Sequence, residues 1–175
     1  MNSNREIVNH TVIKSPGLRF HELKKETKLA NGTLQHHLSS LESDSHISAV
    51  YSDRNPRYFT KNMEKNSAVI INRLRQNTTS RIIKSLLKHD CLSFAQIVKK
   101  SKKSAGTVSV YKNMLLMDGI IEGNTNECDS CPDMTNKIKY RLCDPTTIHS
   151  LVNEYGKSSL KQSADNLADV FLALK

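Results

Sequence analysis

The sequence predicts a mainly helical α+β chain: two copies of one small fold in tandem, plus further helices at the C-terminal end. Three observations carry this. The sequence repeats itself under a shift of 74 residues, which sets Lys14 on Lys88. Apolar residues recur at helical spacing in three successive segments of each copy. Each copy then closes on two short β-prone runs around a polar turn.

The repeat needs no gap through the helical part. It sets Leu18 on Leu92, Phe20 on Phe94, Lys25 on Lys99, Gly32 on Gly106 and Thr33 on Thr107. Further on it sets Leu41 on Leu115, Asp44 on Asp118 and Ile47 on Ile121. Conservative pairs fill the intervals: Ile13 with Leu87, Leu23 with Ile97, Leu34 with Val108, His37 with Tyr111.

In copy one, Glu6 to Lys14 reads as a helix with Ile7, Val8, Val12 and Ile13 inward. Ser15-Pro16-Gly17 ends it, because Pro lacks a donor and Gly permits the turn. Phe20 to Lys28 is a second helix with Phe20 and Leu23 inward. Asn31 is a suitable N-cap for a third, which carries Leu34, His37, Leu38 and Leu41 at i, i+3, i+4 and i+7. His46 to Tyr51 and Arg57 to Lys61 flank the turn Ser52-Asp53-Arg54-Asn55-Pro56 as a hairpin. Copy two repeats the order: Arg81 to Lys88, Ser93 to Lys100, a third helix capped by Ser104, then Ile120-Ile121 and Lys137 to Leu142 around a longer turn, Gly123 to Asn136. The boundaries expected are residues 1–62 for the first domain, 63–77 for a linking helix, 78–144 for the second domain and 145–175 for C-terminal helices.

Three helices followed by a hairpin is the winged helix-turn-helix. Ser15-Pro16-Gly17-Leu18-Arg19-Phe20-His21-Glu22-Leu23 and the run Asn31-Gly32-Thr33-Leu34-Gln35-His36-His37-Leu38-Ser39-Ser40-Leu41-Glu42 resemble archaeal winged-helix transcriptional regulators, and Arg57-Tyr58-Phe59 matches their wing return strand. Ala105-Gly106-Thr107-Val108-Ser109-Val110-Tyr111, Gly119-Ile120-Ile121-Glu122 and Tyr140-Arg141-Leu142-Cys143-Asp144-Pro145 are similar to the MarR and ArsR-like pattern. The resemblance implies two tandem winged helix-turn-helix domains and a DNA-binding role in transcription regulation. Two positions depart from it. Ser45 stands where a Gly commonly ends the third helix, and Lys112 stands at the position of Leu38, where an apolar residue is expected.

Charge agrees with a polyanionic partner: 26 Lys+Arg against 17 Asp+Glu give a formal +9. No stretch approaches the roughly 18 apolar residues of a membrane span, and Met1-Asn2-Ser3-Asn4-Arg5 lacks the apolar run of a signal peptide. A cytoplasmic protein with no membrane partner is expected. No Gly-rich phosphate loop, HExxH motif or nucleophile flanked by a base is present, so no enzyme is expected.

In a winged helix the third helix enters the major groove. Its outward face in copy one offers Asn31, Thr33, Gln35, His36, Ser39 and Ser40; in copy two it offers Thr107, Ser109, Val110 and Asn113. Gln can pair with adenine, and a Thr methyl can meet the thymine methyl. Lys24, Lys25 and Lys28, with Lys99, Lys100, Lys102 and Lys103 in copy two, are placed to neutralise phosphates, as are Arg54 and Arg57 at the first wing. His37 falls on the apolar side as a packed ring. The partner expected is double-stranded DNA. The competing reading is a protein–protein or RNA-binding module within a larger transcription or chromosome-organising assembly; the lysine at 112 and the enlarged second wing suit it.

Cysteines in a cytosolic chain do not normally form structural disulfides. Cys128-Asp129-Ser130-Cys131 has the spacing of two zinc ligands, with Cys143 as a third; a redox pair or two inert thiols are the alternatives. Leu160, Leu167 and Leu174 recur every seven residues, with Ala164, Val170 and Phe171 beside them. That stripe predicts an amphipathic helix, either packed on its own domain or pairing two chains as a homodimer.

Overall fold

The computed structural model describes residues 3–52, 55–124 and 138–155. The chain divides into two compact units, Met1–Asn72 and Arg73–Lys175. It is a mixed α+β structure of helices and small antiparallel sheets.

Unit one runs α1 (Asn4–Lys14), β1 (Leu18–Arg19), α2 (Phe20–Thr27), α3 (Asn31–Ser43), β2 (Ile47–Ser52) and β3 (Asn55–Thr60). Ser3 starts α1 through a capping box: its hydroxyl accepts the Glu6 N–H, and the Glu6 carboxylate accepts the Ser3 N–H at 2.8 Å. Helix α1 packs across α2 and α3. The core joins Val8 and Val12 to Leu18, Leu23, Leu34, Leu38, Leu41, Ile47 and Tyr58. Ile13 lies outside it at 52% exposed, contrary to its expected inward position. Its partner under the repeat, Leu87, is also only partly covered.

The sheet has the order β1-β3-β2. Its first strand is absent from the sequence reading, because two residues are too few to show alternation. The hairpin is tighter than expected: Ser52 already pairs with Asn55, so both strands extend into what read as turn. Pro56 can lie inside β3 because β1 ends at Arg19, opposite Arg57, leaving that edge open beyond it.

Unit two takes the same order. Helix α4 (Lys65–Leu74) crosses the division between the units; then come α5 (Asn77–Leu87), β4 (Leu92–Ser93), α6 (Phe94–Ser101), α7 (Ala105–Met117), β5 (Ile121–Asn124) and β6 (Lys139–Leu142). Its sheet order is β4-β6-β5. The strands match in register as well: Leu18 faces Tyr58, and its counterpart Leu92 faces Tyr140. Residues 145–155 form a further helix, α8. Asp144 caps it, accepting the Thr147 N–H at 3.0 Å and the Thr146 hydroxyl at 2.7 Å. These bonds, Thr147's first, hold the Asp144 carboxyl down at about 2.

Backbone conformation follows the repeat too. Lys28 and Lys102, each ending a second helix, are both left-handed, at φ 57° and 54°. Ser45 adopts φ 58° where its counterpart Gly119 adopts 67°. The missing Gly therefore leaves the entry to the first wing unchanged; Ser takes the same strained conformation.

Candidate nucleic-acid interface

Helix α3 turns Leu34, Leu38 and Leu41 into the core. The 3.6-residue period then leaves Asn31, Gly32, Gln35, His36 and Ser39 exposed on the opposite side. No carboxylate lies among the residues of the first two and a half turns of α3; Glu42, exposed in the last turn, accepts the Ala49 N–H at 3.1 Å. Asn31 is not the cap: Ala30 holds the extended N-cap conformation and Asn31 is the first helical residue, its side chain in solvent. Gly32 has open space where a Cβ would stand, and so does Gly106 at the same point of α7. The Gln35 amide reaches the Ser39 hydroxyl only at 3.4 Å, a bond too long to hold either group. Ser40 is half-buried and accepts from Arg5 at 3.3 Å, so it is engaged within the unit. Thr33 and His37 are half-buried; the His37 ring meets His36 edge-on at 5.3 Å.

Lys24, Lys25 and Lys28 are exposed on the last turn of α2 and its C-cap. Arg57 is not with them. The sequence sets it beside the wing tip, but the structure buries it to 3% exposure. Its Nη1 donates to the Gly17 carbonyl at 2.7 Å and lies 3.6 Å from the Glu22 carboxylate. Glu22 also accepts the Arg19 N–H at 2.7 Å. Arg57 thus ties β3 to the turn before β1 and to the start of α2. That turn needs Gly17, at φ 77°, where a Cβ would come within 3.1 Å of Phe59 and Ile71. Strand β3 is covered on both faces at this point: Arg57, Tyr58 and Phe59 are buried in succession, so Arg57 has no solvent-facing side although it stands only two pairs in from the tip.

In unit two, Asn113 is exposed, while Thr107 and Ser109 are half-buried and the Thr107 hydroxyl is 2.8 Å from Ser104. Ser104 does cap α7, accepting the Thr107 N–H. Lys99, Lys100 and Lys102 are exposed and Lys103 is half-buried. Lys112 turns inward. Its ammonium lies 4.9 Å from the centre of the Tyr140 ring and 5.7 Å from that of Phe94, and donates to the Tyr140 hydroxyl at 3.2 Å. A long side chain with two aromatic faces thereby fills the place of Leu38 without an unmatched charge.

Val110 lies outward as the sequence places it, but two features escaped the sequence reading, the setting of Arg19 and the exposure of Met117. Arg19, at the start of α2, keeps a buried Nε without an acceptor. On α7 the exposed apolar residues are Val110, at 60%, and Met117, at 88%. Their counterparts in copy one are His36 and Ser43, and that substitution was visible in the repeat.

Arg54, Cys128, Cys131 and the Leu160–Leu167–Leu174 stripe lie outside the described residues. Cys143 is exposed with a free thiol, pushed up by partial burial and then by Glu122, against the opposing pull of Arg141. Cys91 is buried. Among the described residues no group of three metal-ligating side chains comes together, and no helix is long and apolar enough to cross a membrane.

Residues 2–68 match the family model HTH_HVO_0163_N, an N-terminal HTH domain. This stretch of the chain is similar to a helix-turn-helix, and α2 and α3 are its two helices. No curated protein matches the chain. Among solved structures, the S. aureus MepR–DNA complex is similar at 15% identity, over 63% of this chain and 90% of that one, with a TM-score of 0.41. Streptococcus pneumoniae FabT in complex with DNA is similar at 19% identity, over 65% and 75%, with a TM-score of 0.30. At such scores neither likeness bears on function.

Proposed function

We propose that the chain is a DNA-binding transcription regulator made of two tandem winged helix-turn-helix domains, with copy one as its sequence reader. The observation that carries this is the outward face of α3. Its first turns present Asn31, Gln35, His36 and Ser39 to solvent, within the segment that matches an HTH domain. Lys24, Lys25 and Lys28 stand beside it. In this reading Gln35 and His36 meet base edges, Thr33 contributes a methyl contact, and the lysines, with Arg54, meet phosphates. Thr107, Ser109, Asn113, Lys102 and Lys103 form the corresponding set of copy two. Domain limits at 62, 77 and 144, and a homodimer held by the C-terminal helices, belong to the same proposal.

Selection of bound duplexes from a random pool tests it. An enriched motif, lost in Gln35→Ala, supports the reading; uniform retention of all sequences overturns its specificity. Three lysines at phosphates also require log affinity to fall with log salt at a slope of at least about −2.7. Zinc at Cys128, Cys131 and Cys143 is a separate proposal, decided by metal analysis of protein purified without added zinc.

One observation favours a second reading for copy two alone. Val110 and Met117 put apolar surface on α7 where copy one has His36 and Ser43. Such a face suits a protein partner better than a base edge. Val110→Asp would then leave DNA affinity intact and abolish partner capture.

A further inference from the structure

Unit two gathers more positive charge than unit one at one set of equivalent positions: Lys88 and Lys102 keep the lysines of copy one, Lys14 and Lys28, and three further cations join them. Arg81, Lys84, Ser85 and Lys88 are spaced i, i+3, i+4 and i+7, so they share one face of α5. With Lys100 and Lys102 from the end of α6 they line an open cleft of about 330 Å³. Five of these six side chains are cationic and none is a carboxylate. Arg81 is anchored: Nη1 donates to the Ser101 carbonyl at 3.2 Å, and Nε to Asn77 at 3.0 Å. Lys100 Nζ lies 2.8 Å from His89 Nε2. Lys84, Lys88 and Lys102 take part in no ion pair among the described residues.

The shared fold does not demand this. Under the 74-residue shift Arg81, Lys84 and Lys100 correspond to Ile7, His10 and Glu26. Copy one therefore builds the same two helices with an apolar residue, an imidazole and an acid at those positions. Copy two holds cations there, and like charges repel across so small a space. Burial also lowers the Lys84 pKa, so the site disfavours its own charge until a counter-charge arrives.

We propose that this cleft binds phosphate groups, its cations meeting several phosphoryl oxygens at once. The phosphates come either from the backbone of duplex DNA or from a free polyphosphorylated anion. The first source rests on the DNA-binding reading above; the second does not.

The test uses the full chain and the double variant Lys84→Gln/Lys88→Gln. Neither lysine makes a contact that the fold would lose, and circular dichroism checks that it stays folded. The probes are inorganic tripolyphosphate, titrated calorimetrically at low salt, and a labelled duplex, titrated at several salt concentrations. A free-anion site predicts that the natural chain binds tripolyphosphate and that the double variant weakens this at least tenfold. A DNA-backbone site predicts that the double variant shallows the log–log salt slope for duplex binding by about 1.8, two contacts at about 0.9 each. If the double variant changes neither quantity, the cleft is not a phosphate site. Lys24→Gln/Lys28→Gln separates the two proposals. Duplex loss in that variant alone removes DNA as the cleft's ligand and keeps the DNA reader; if tripolyphosphate binding is also unchanged by Lys84→Gln/Lys88→Gln, the cleft proposal falls. Tripolyphosphate binding with no duplex binding removes the reader and keeps the cleft.

Discussion

Replacing Arg57 by Ala should destabilise unit one without removing a DNA contact. Arg57 is 3% exposed, and its two described partners lie inside the unit: the Gly17 carbonyl at 2.7 Å and the Glu22 carboxylate at 3.6 Å. A hydrogen bond from a charged donor contributes about 1.5–3 kcal/mol. Removing one partner of a buried pair costs about 3–5 kcal/mol, because the other charge is stranded. Here Glu22 keeps the Arg19 N–H at 2.7 Å, and its side chain is 16% exposed, so the stranded charge is partly solvated. The loss therefore falls at the low end, about 3 kcal/mol. For a unit of this size each kcal/mol moves Tm by about 4–8 °C, giving a drop of about 12–24 °C. Thermal unfolding followed by circular dichroism measures it, with duplex affinity taken at 10 °C (a temperature chosen to keep the variant folded). Lys28→Gln is the control, expected to weaken duplex binding while leaving Tm within about 2 °C. A tenfold loss of affinity in Arg57→Ala with Tm unmoved would refute the assignment and return Arg57 to the phosphate-facing set.

The other expectations concern single positions. Ser45→Gly should stabilise unit one by about 0.5–1 kcal/mol in urea unfolding, since a left-handed L-residue costs about 1–2 kcal/mol and glycine's entropy returns part of that; a loss of stability would contradict the strain. Gln35→Ala should cost about 1–3 kcal/mol of discrimination at one base pair, seen in competition with mutated duplexes, and leave Tm unchanged. Lys112→Leu, which restores the residue of copy one, should change stability by less than about 1 kcal/mol and leave duplex affinity alone; a large affinity loss would mean that the ammonium leaves Tyr140 to reach DNA. Asp144→Ala should fray α8, seen as lost helical signal at pH 7. The folded carboxyl is depressed to about 2 from 3.8, so its stabilisation is present above pH 3.8 and disappears as pH falls through 2. Variant and natural chain should therefore converge across that window, and a difference undiminished between about pH 4 and pH 2 would exclude the cap as its source.

Helix positions were legible because apolar spacing and the repeat speak to the same residues. Leu34, Leu38 and Leu41 are buried, and the exposed face of α3 follows from them by geometry. Positions set by contacts distant in sequence were not legible. Arg57 reads as a wing-tip cation in its local run, and only the pairing of β3 with β1 brings Gly17 within reach of it. Lys112 reads as an exposed charge at a core position because nothing local announces that Tyr140 arrives from β6, 28 residues on. The strands β1 and β4 carry two residues each, below the length at which alternation can be seen. The basic face of α5 is the opposite case. Its spacing stands in the sequence, but lysines on one helix face read as a solvated surface until the cleft against α6 brings Lys100 and Lys102 beside them.

The two units share their element order, their sheet order and two left-handed turns, so many of their side-chain differences stand on equivalent positions. Lys28 and Lys102, and Ser45 and Gly119, keep the same left-handed turns. On that constant frame the outward face of the third helix changes from His36 and Ser43 to Val110 and Met117, while the first helix changes from Ile7 and His10 to Arg81 and Lys84. Polar groups able to read bases are thus retained on copy one's third helix, and copy two moves its charge to the opposite element of the motif. A pair of equivalent readers would keep both sets alike, because each would face the same groove. The difference puts hydrogen-bonding side chains on copy one's α3 and a cationic cleft on copy two's α5 and α6. Swapping His10 and Glu26 for lysines in copy one would test this directly. If the frame is neutral, the swap creates a second tripolyphosphate site without loss of stability beyond about 1 kcal/mol; if it unfolds unit one, the two frames are not interchangeable.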